Sequence, residues 1–212
     1  MKSNVSLIFD FDGTLIDSFR SAIEKFNILA DEFNYRKVKD DEVESLRGVT
    51  SRELIKYFRI PLYKMPRVLL KARGMMRSEM QTLLPFANLR SVLNLLRDAN
   101  VKLGILTSNS SENVSAWLKR NDMENLFDFI HGESSFFGKS NALRKVIKSH
   151  KLDKATTFYV GDETRDIDAA KACKIHSVAV TWGFNSEEIL RQHQPYCTIE
   201  KAEDLLAIFK SV

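Results

Sequence analysis

The sequence lacks several features that would place it in specialised classes of protein. It contains no run of about 18 or more apolar residues, the length a membrane-spanning helix needs. It has only two cysteines, Cys173 and Cys197, and their spacing fits neither a disulfide framework nor a cysteine-based metal site. No internal repeat, low-complexity stretch or Gly/Ser linker divides the chain. These absences exclude a membrane-spanning protein and a small disulfide-bonded domain, and they favour a reducing compartment.

What remains is an ordinary globular composition. The 212 residues include 44% hydrophobic and 28% charged residues, and a chain of this length buries a sizeable core without disulfides or metals. The first residues run through a short apolar stretch directly into Asp10 and Asp12. A signal peptide needs a longer apolar region without acids, so we expect a cytoplasmic protein.

Charge is distributed unevenly along the chain. The net charge is +4, but residues 47–77 contain nine Lys or Arg and one acid, Glu53. Arg52, Lys56 and Arg59 recur at a spacing that places them along one helix face. The basic residues of this segment either form a solvated face or attract an anionic substrate into the site. No nucleic-acid recognition motif accompanies the basic residues, so we expect no nucleic-acid partner, and no membrane partner either.

Short β-type runs alternate with helical runs over most of the chain. The predicted strands are 5–10, 101–107, 127–131, 156–160, 175–180 and 196–199. The predicted helices of this part are 17–34, 111–121, 140–150, 166–173, 186–193 and 202–209, with a further helix stripe formed by Leu89, Val92, Leu93 and Leu96. Such alternation predicts an α/β fold with a parallel sheet covered by helices on both faces.

The β signals stop between about residue 40 and residue 84. Apolar residues at helical spacing predict several short helices there, broken near Pro61 and Pro66. We therefore expect a core formed by residues 1–16 and 85–212, with an all-helical unit of residues 17–84 inserted after the first strand.

Polar residues stand where the predicted strands end, the edge at which open α/β sheets bind ligands. Asp10 and Asp12 are two residues apart and can share one face, where a hard cation such as Mg²⁺ would relieve their repulsion. Asp162 and Asp166 follow another strand. Thr107 and Ser108 lead into a helix whose N-terminus suits an anion, and Lys139 can add positive charge. The set is suited to phosphoryl transfer.

The order and spacing of these residues resemble those of the haloacid-dehalogenase-like (HAD) hydrolase superfamily, in its phosphoglycolate phosphatase-like branch. The resemblance covers essentially the whole chain. It is carried by four motifs: Asp10-Phe11-Asp12-Gly13-Thr14-Leu15-Ile16-Asp17-Ser18, Thr107, Lys139, and Gly161-Asp162-Glu163-Thr164-Arg165-Asp166. Lys174 stands where relatives usually have glycine. The resemblance implies a Rossmann-like core with a helical cap, here residues 17–84.

The same resemblance implies a role for each residue. Asp10 is expected to be the nucleophile that forms an aspartyl-phosphate, and Asp12 the general acid and base. Thr107 and the amide of Ser108 are expected to hold the transferring group, with Lys139 screening the charge. Mg²⁺ is expected on Asp10, the carbonyl of Asp12 and Asp162, with Asp166 as a further acid. Arg47 and Arg52 lie in or near a cap loop that faces the substrate in relatives.

The expected function is Mg²⁺-dependent hydrolysis of a small phosphorylated metabolite, with phosphoglycolate as one candidate. A phosphotransferase or phosphomutase with the same site remains an alternative, as does a non-catalytic binding protein that uses its basic cap. Simpler interpretations also exist for single residues: Lys139 as a solvated lysine, Asp162 and Asp166 as helix caps, Glu163 as a solvent-facing neighbour. The four histidines are expected to be scattered packing or surface residues.

Overall fold

A computed structural model of the protein describes residues 5–132 and 138–210. A six-stranded parallel sheet forms its centre, in the order β3-β2-β1-β4-β5-β6. The strands are β1 (Ser6–Phe9), β2 (Lys102–Leu106), β3 (Phe129–His131), β4 (Thr157–Gly161), β5 (His176–Val180) and β6 (Cys197–Ile199). The helices are α1 (Phe19–Phe33), α2 (Ser51–Tyr57), α3 (Met65–Glu79), α4 (Leu89–Asp98), α5 (Ser111–Arg120), α6 (Lys139–Ser149), α7 (Thr164–Cys173), α8 (Glu187–Gln192) and α9 (Leu205–Lys210). The predicted α/β class is confirmed.

Strand β1 is the middle of this sheet, and its neighbours determine what meets at its end. Phe9 is paired with Ile105 of β2 on one side and with Val160 of β4 on the other. Alternate side chains of β1 enter different apolar layers: Leu7 and Phe9 pack in the layer with α4, α5 and α9, whereas Ile8 packs with α6 and α7. All four residues of β1 are buried, as a strand covered on both faces requires.

Helices α1, α2 and α3 lie between β1 and β2 in the chain and have an apolar cluster of their own. Phe19 and Ile23 of α1 pack there against Met65, Val68 and Ala72 of α3. The segments that enter and leave this unit run side by side, because Ile16 forms a bridge with Pro85 and Phe86 N–H donates to Leu15 O at 3.2 Å. The boundaries of the helical unit at residues 17 and 84 stay a prediction. The contact between the entering and leaving segments supports it.

The expectation that Pro66 breaks a helix is wrong. Pro66 lies in the first turn of α3, a helix of 15 residues. A proline in the first turn interrupts no intrahelical hydrogen bond, since the backbone N–H groups there have no partner within the helix. Whether a proline ends a helix or begins one depends on its position along the helix. The spacing of apolar residues alone does not reveal that position.

The histidines are also less scattered than expected. His131 at the end of β3 and His150 after α6 approach each other, with their Nε2 atoms 2.8 Å apart. Burial, His131 and Lys102 lower the pKa of His150. Among the described helices, none combines the length and apolarity required to cross a membrane.

Lys174 ends α7 in a left-handed backbone conformation, with φ 59° and ψ 46°. A side chain is unfavourable in this conformation, so the position favours glycine. We expect Lys174→Gly to raise the free energy of unfolding by about 0.5 to 1 kcal/mol in a urea titration. Lys145→Gly, at an exposed position inside α6, should instead lower it by about 1 kcal/mol. Destabilisation by Lys174→Gly would contradict the strain argument.

Candidate active site

Strands β1 and β4 bring three buried carboxylates to one edge of the sheet. Asp10 follows β1, and its N–H donates to Val160 O of β4 at 2.8 Å. Asp162 follows β4 directly, and Asp166 lies in the first turn of α7. Each carboxylate offers an oxygen, and these oxygens all lie within 4.8 Å of one another. The side chains predicted from separate motifs therefore converge.

Asp162 is held on both of its carboxylate oxygens. Thr14 Oγ1 donates to Oδ1 at 2.6 Å, and Phe184 N–H donates to Oδ2 at 2.8 Å. Thr14 reaches it because the chain turns at Gly13, which has φ +78°. A Cβ at Gly13 would overlap the Asp162 carboxylate, so this turn needs glycine for space as well as for conformation.

Lys139 is the cation at the centre of the cluster. It is the first residue of α6, is 5% exposed, and its Nζ donates to Asp10 Oδ2 at 2.5 Å and also to Asp166 Oδ1. Burial alone would lower the pKa of Lys139, but Asp10 and Asp166 raise it above its usual value. The interpretation of Lys139 as a solvated lysine is wrong.

Burial and mutual repulsion make the acids of this site weak. Burial raises the pKa of Asp162 well above its usual value, and the neighbouring carboxylates raise it further. Burial also raises the pKa of Asp166, against the opposing charge of Lys139. Both shifts mean that ionisation of these buried carboxylates is unfavourable without further positive charge. The site therefore favours an added cation.

Asp12 stands apart from the three clustered carboxylates. Phe11 between the two acids packs edge-on against Trp117 with ring centroids 5.2 Å apart, which leaves Asp10 and Asp12 on the other side of the chain. Asp12 Oδ1 is buried without a hydrogen-bond partner among the described residues. Burial, followed by the charge of Asp10, raises the pKa of Asp12 to about 6. Such a group can both give and take a proton near neutral pH.

Thr107 and Ser108 follow β2, the neighbour of β1 on the other side. Thr107 is fully buried, its N–H donates to His131 O at 3.0 Å, and its Oγ1 accepts from Asn109 N–H at 3.0 Å. Ser108 is half-buried. Because Phe9 pairs with Ile105, Thr107 lies beside the chain just beyond Asp10. The hydroxyl and the following turn lead into α5, as expected from the sequence.

Of the two arginines predicted to bind substrate, the structure describes the side chain of Arg47 only. Arg47 packs its guanidinium over the Phe19 ring at 4.4 Å, and its Nη1 donates to Gly183 O at 3.4 Å. Its other neighbours are Glu44 and Asp17, at 3.1 Å and 3.6 Å. Arg47 thus connects the helical unit to the loop after β5, and substrate contact stays a prediction. The side chain of Arg52 lies outside the described part of the structure.

Sequence reasoning missed an ion pair between Glu163 and Arg165. Glu163 was expected to face solvent, but it is 3% exposed and accepts from Arg165 Nε at 2.8 Å and also from Nη2. Its side chain and that of Asp166 also form a reciprocal capping box at the start of α7. The sequence carried a signal for this pair, since Arg165 stands only two residues from Glu163.

The residues at this edge fit a hard divalent cation. Asp10, Asp162 and Asp166 supply carboxylate oxygens only, the donor type that Mg²⁺ prefers. Opposite ligands of Mg²⁺ are about 4.2 Å apart, so a small inward movement of the side chains would suffice. The carboxylate of Asp12 is not part of this group of three; its predicted ligand is the backbone carbonyl.

Comparisons with known proteins agree with this geometry. The sequence profile of the haloacid dehalogenase-like hydrolases matches residues 7–180. The chain is 33% identical to a phosphoglycolate phosphatase of Synechococcus elongatus, over 95% of either chain. It is 23% identical to the pyrophosphatase PpaX of Listeria welshimeri, over 97% of this chain and 96% of that one. The crystal structure of a predicted phosphatase from Clostridium acetobutylicum superposes with a TM-score of 0.83 at 21% identity, covering 98% of this chain and 99% of that one.

Replacing Lys139 tests the charge balance of the cluster. Lys139→Met keeps the length of the side chain but leaves Asp10 and Asp166 buried without their cation. We expect the metal-free protein to lose about 3 kcal/mol of unfolding free energy at neutral pH. Lys145→Met, on the exposed side of the same helix, should change it by less than about 0.5 kcal/mol. Equal effects of both substitutions, measured by denaturant titration in EDTA, would show that Lys139 is not needed for this balance.

Proposed function

The chain belongs to the haloacid dehalogenase-like hydrolase family and is a phosphatase of that family, and we propose that it hydrolyses a small phosphomonoester through an aspartyl-phosphate on Asp10. The observation that carries the proposal is the placement of Asp10: a buried carboxylate bonded to Lys139 and beside a second acid, Asp12, whose pKa is raised to about 6. One acid is paired with a cation, while the other can carry a proton.

In the first step, a carboxylate oxygen of Asp10 attacks phosphorus and the bond from phosphorus to the ester oxygen breaks. Asp12 donates its proton to the departing oxygen, so the alcohol leaves neutral. Thr107 Oγ1 and the Ser108 amide hold the oxygens of the transferring group, and Lys139 offsets their negative charge. Asp10 then carries the phosphoryl group as an acyl phosphate.

In the second step, water takes the place of the alcohol. The carboxylate of Asp12 removes a proton from this water, whose oxygen attacks phosphorus as the bond to Asp10 breaks. Inorganic phosphate leaves, Asp10 recovers its carboxylate and Asp12 recovers its proton. The two acids thus return to their starting states, and each turnover consumes one water molecule.

We propose Mg²⁺ as the resident cofactor, on Asp10, the Asp12 carbonyl and Asp162, with Asp166 nearby. When bound, it supplies positive charge that stabilises the phosphoryl oxygens in the transition state. The convergence of three buried carboxylates supports this assignment, since burial makes Asp162 and Asp166 unfavourable to ionise without added positive charge.

The relatives suggest what the substrate looks like. Their names specify phosphoglycolate and pyrophosphate, two small molecules that share a second negatively charged group beyond the bond to be broken. We propose a substrate of this size, with phosphoglycolate as the first candidate. A phosphotransferase would use the same acids and differ only in admitting a second alcohol instead of water.

The nucleophile is tested by Asp10→Asn, which preserves shape and removes the attacking charge. We expect release of phosphate from 4-nitrophenyl phosphate and from phosphoglycolate to fall to background, with an unchanged circular dichroism spectrum. Asp98→Asn, at an exposed position on α4, should keep wild-type turnover. In a quenched single turnover of the wild type, mass spectrometry should locate a phosphoryl group on Asp10. Near wild-type turnover in pure Asp10→Asn would rule out the mechanism.

The metal is tested without reference to activity. Mg²⁺ at about 100 times its dissociation constant should stabilise the wild type by about 2.7 kcal/mol relative to EDTA. Asp162→Asn should lose most of this increment, whereas Asp98→Asn should keep it. A thermal-shift titration measures all three proteins. An identical Mg²⁺ increment in Asp162→Asn would place the cation elsewhere.

A further inference from the structure

A cavity of about 110 Å³ lies between the helices of the cap and the loops that follow β4 and β5. Most of its wall is apolar and comes from α1, α2 and α3, including Phe19, Phe26 and Leu54. From the sheet side it is reached by Glu163, Arg165 and Phe184. Among the described residues that line this cavity, Arg165 is the single cation. Its side chain remains 24% exposed, so it is accessible from the cavity while it pairs with Glu163.

The cavity adjoins the cluster of acids. Glu163 and Arg165 lie between Asp162 and Asp166 in the chain, and the N–H of Phe184 donates to Asp162 Oδ2 at 2.8 Å. Because Glu163, Arg165 and Phe184 also line the cavity, Arg165 lies on the side of the acid cluster that faces the cap.

Lys139 and Arg165 occupy different parts of the site. Lys139 contacts Asp10 and Asp166 directly, on the side of the transferring phosphoryl group, and does not line the cavity. The leaving oxygen departs opposite the attacking Asp10 oxygen, towards the acid that protonates it. We propose that Arg165 binds a negatively charged group on the leaving group, and that the natural substrates are phosphoric esters or anhydrides with a small anionic leaving group.

Three properties of the cavity support this assignment. An anion entering an apolar cavity needs a partner there, and the wall offers one guanidinium. A guanidinium binds carboxylate and phosphate groups in a fixed planar geometry, and Glu163 holds it in place through Nε and Nη2. The volume is also small: since a cavity of about 150 Å³ accommodates benzene, 110 Å³ holds four or five non-hydrogen atoms. A two-carbon acid or a single phosphate group fits this volume.

The assignment rests on the proposed phosphatase activity and is tested by a substrate series. Phosphoglycolate and ethyl phosphate have leaving groups with the same two-carbon chain, but only the first leaving group is charged; pyrophosphate supplies a phosphate in place of the carboxylate. For the wild type we expect kcat/KM to be about 10- to 100-fold higher for phosphoglycolate than for ethyl phosphate, as a charged hydrogen bond provides. The pyrophosphate arm shows whether carboxylate or phosphate is the preferred anion.

Arg165→Gln should remove this preference. We expect it to lower kcat/KM for phosphoglycolate about 10- to 100-fold and for ethyl phosphate less than about threefold, while Arg165→Lys restores part of the loss. Arg144→Gln, on the exposed face of α6, is the matched control and should change neither substrate. Because Arg165→Gln leaves Glu163 without its partner, the double variant Glu163→Gln/Arg165→Gln should give the same selectivity at a melting temperature close to that of the wild type.

The possible failures are distinguishable. Equal losses for both substrates in Arg165→Gln and in the double variant would mean that Arg165 only supports the fold, and would overturn the assignment. Equal kcat/KM values for the two substrates in the wild type would overturn it as well, although the phosphatase activity would stand. If the wild type released phosphate from none of the compounds, including 4-nitrophenyl phosphate, the proposed function itself would fail.

Discussion

The repulsion between buried carboxylates at the end of β1 and β4 is the constraint on which the rest of the site depends. Carboxylate oxygens lie within 4.8 Å of one another on Asp10, Asp162 and Asp166. These side chains are buried, so solvent does not hydrate their charges. Such a group is stable only because Lys139 lies between Asp10 and Asp166, and because Thr14 and the Phe184 amide donate to Asp162. A divalent cation would supply the positive charge that these carboxylates lack, and it could in turn hold a phosphoryl group.

The sheet provides the rigidity that this arrangement needs. Acids two residues beyond a strand would be free to move apart in a loop, but the N–H of Asp10 continues the ladder to β4 and Phe11 is anchored in the core against Trp117. The turn at Gly13 then brings Thr14 back onto Asp162. Each of these contacts joins a residue that follows β1 to a residue more than a hundred positions away, so the site forms only when β1, β4 and α5 have come together.

Sequence patterns predicted the parts of the site that follow from local order along a strand. The strand ends, the four motifs and the alternation of Asp10, Phe11 and Asp12 are all local, and they were sufficient to place Asp10, Thr107, Lys139 and Asp162 at one edge. What depends on contacts between elements was not predictable. The burial of Glu163 depends on its pairing with Arg165, the approach of His131 to His150 joins two elements, and Pro66 begins α3 instead of ending a helix.

The net charge of the whole cap is smaller than the charge of its basic segment. Residues 47–77 are strongly basic along the sequence, yet residues 17–84 together contain fourteen Lys or Arg and ten Asp or Glu, so the whole unit carries only +4. Lys71 of α3 pairs with Glu32 of α1, and Lys64 Nζ donates to Phe33 O at 2.8 Å. Exposed charges of this kind are screened by salt over about 10 Å at 0.1 M. The guanidinium of Arg165 is only 24% exposed and pairs with Glu163, so salt screens it less, and we expect selection between substrates to depend more on Arg165 than on the basic surface of the cap.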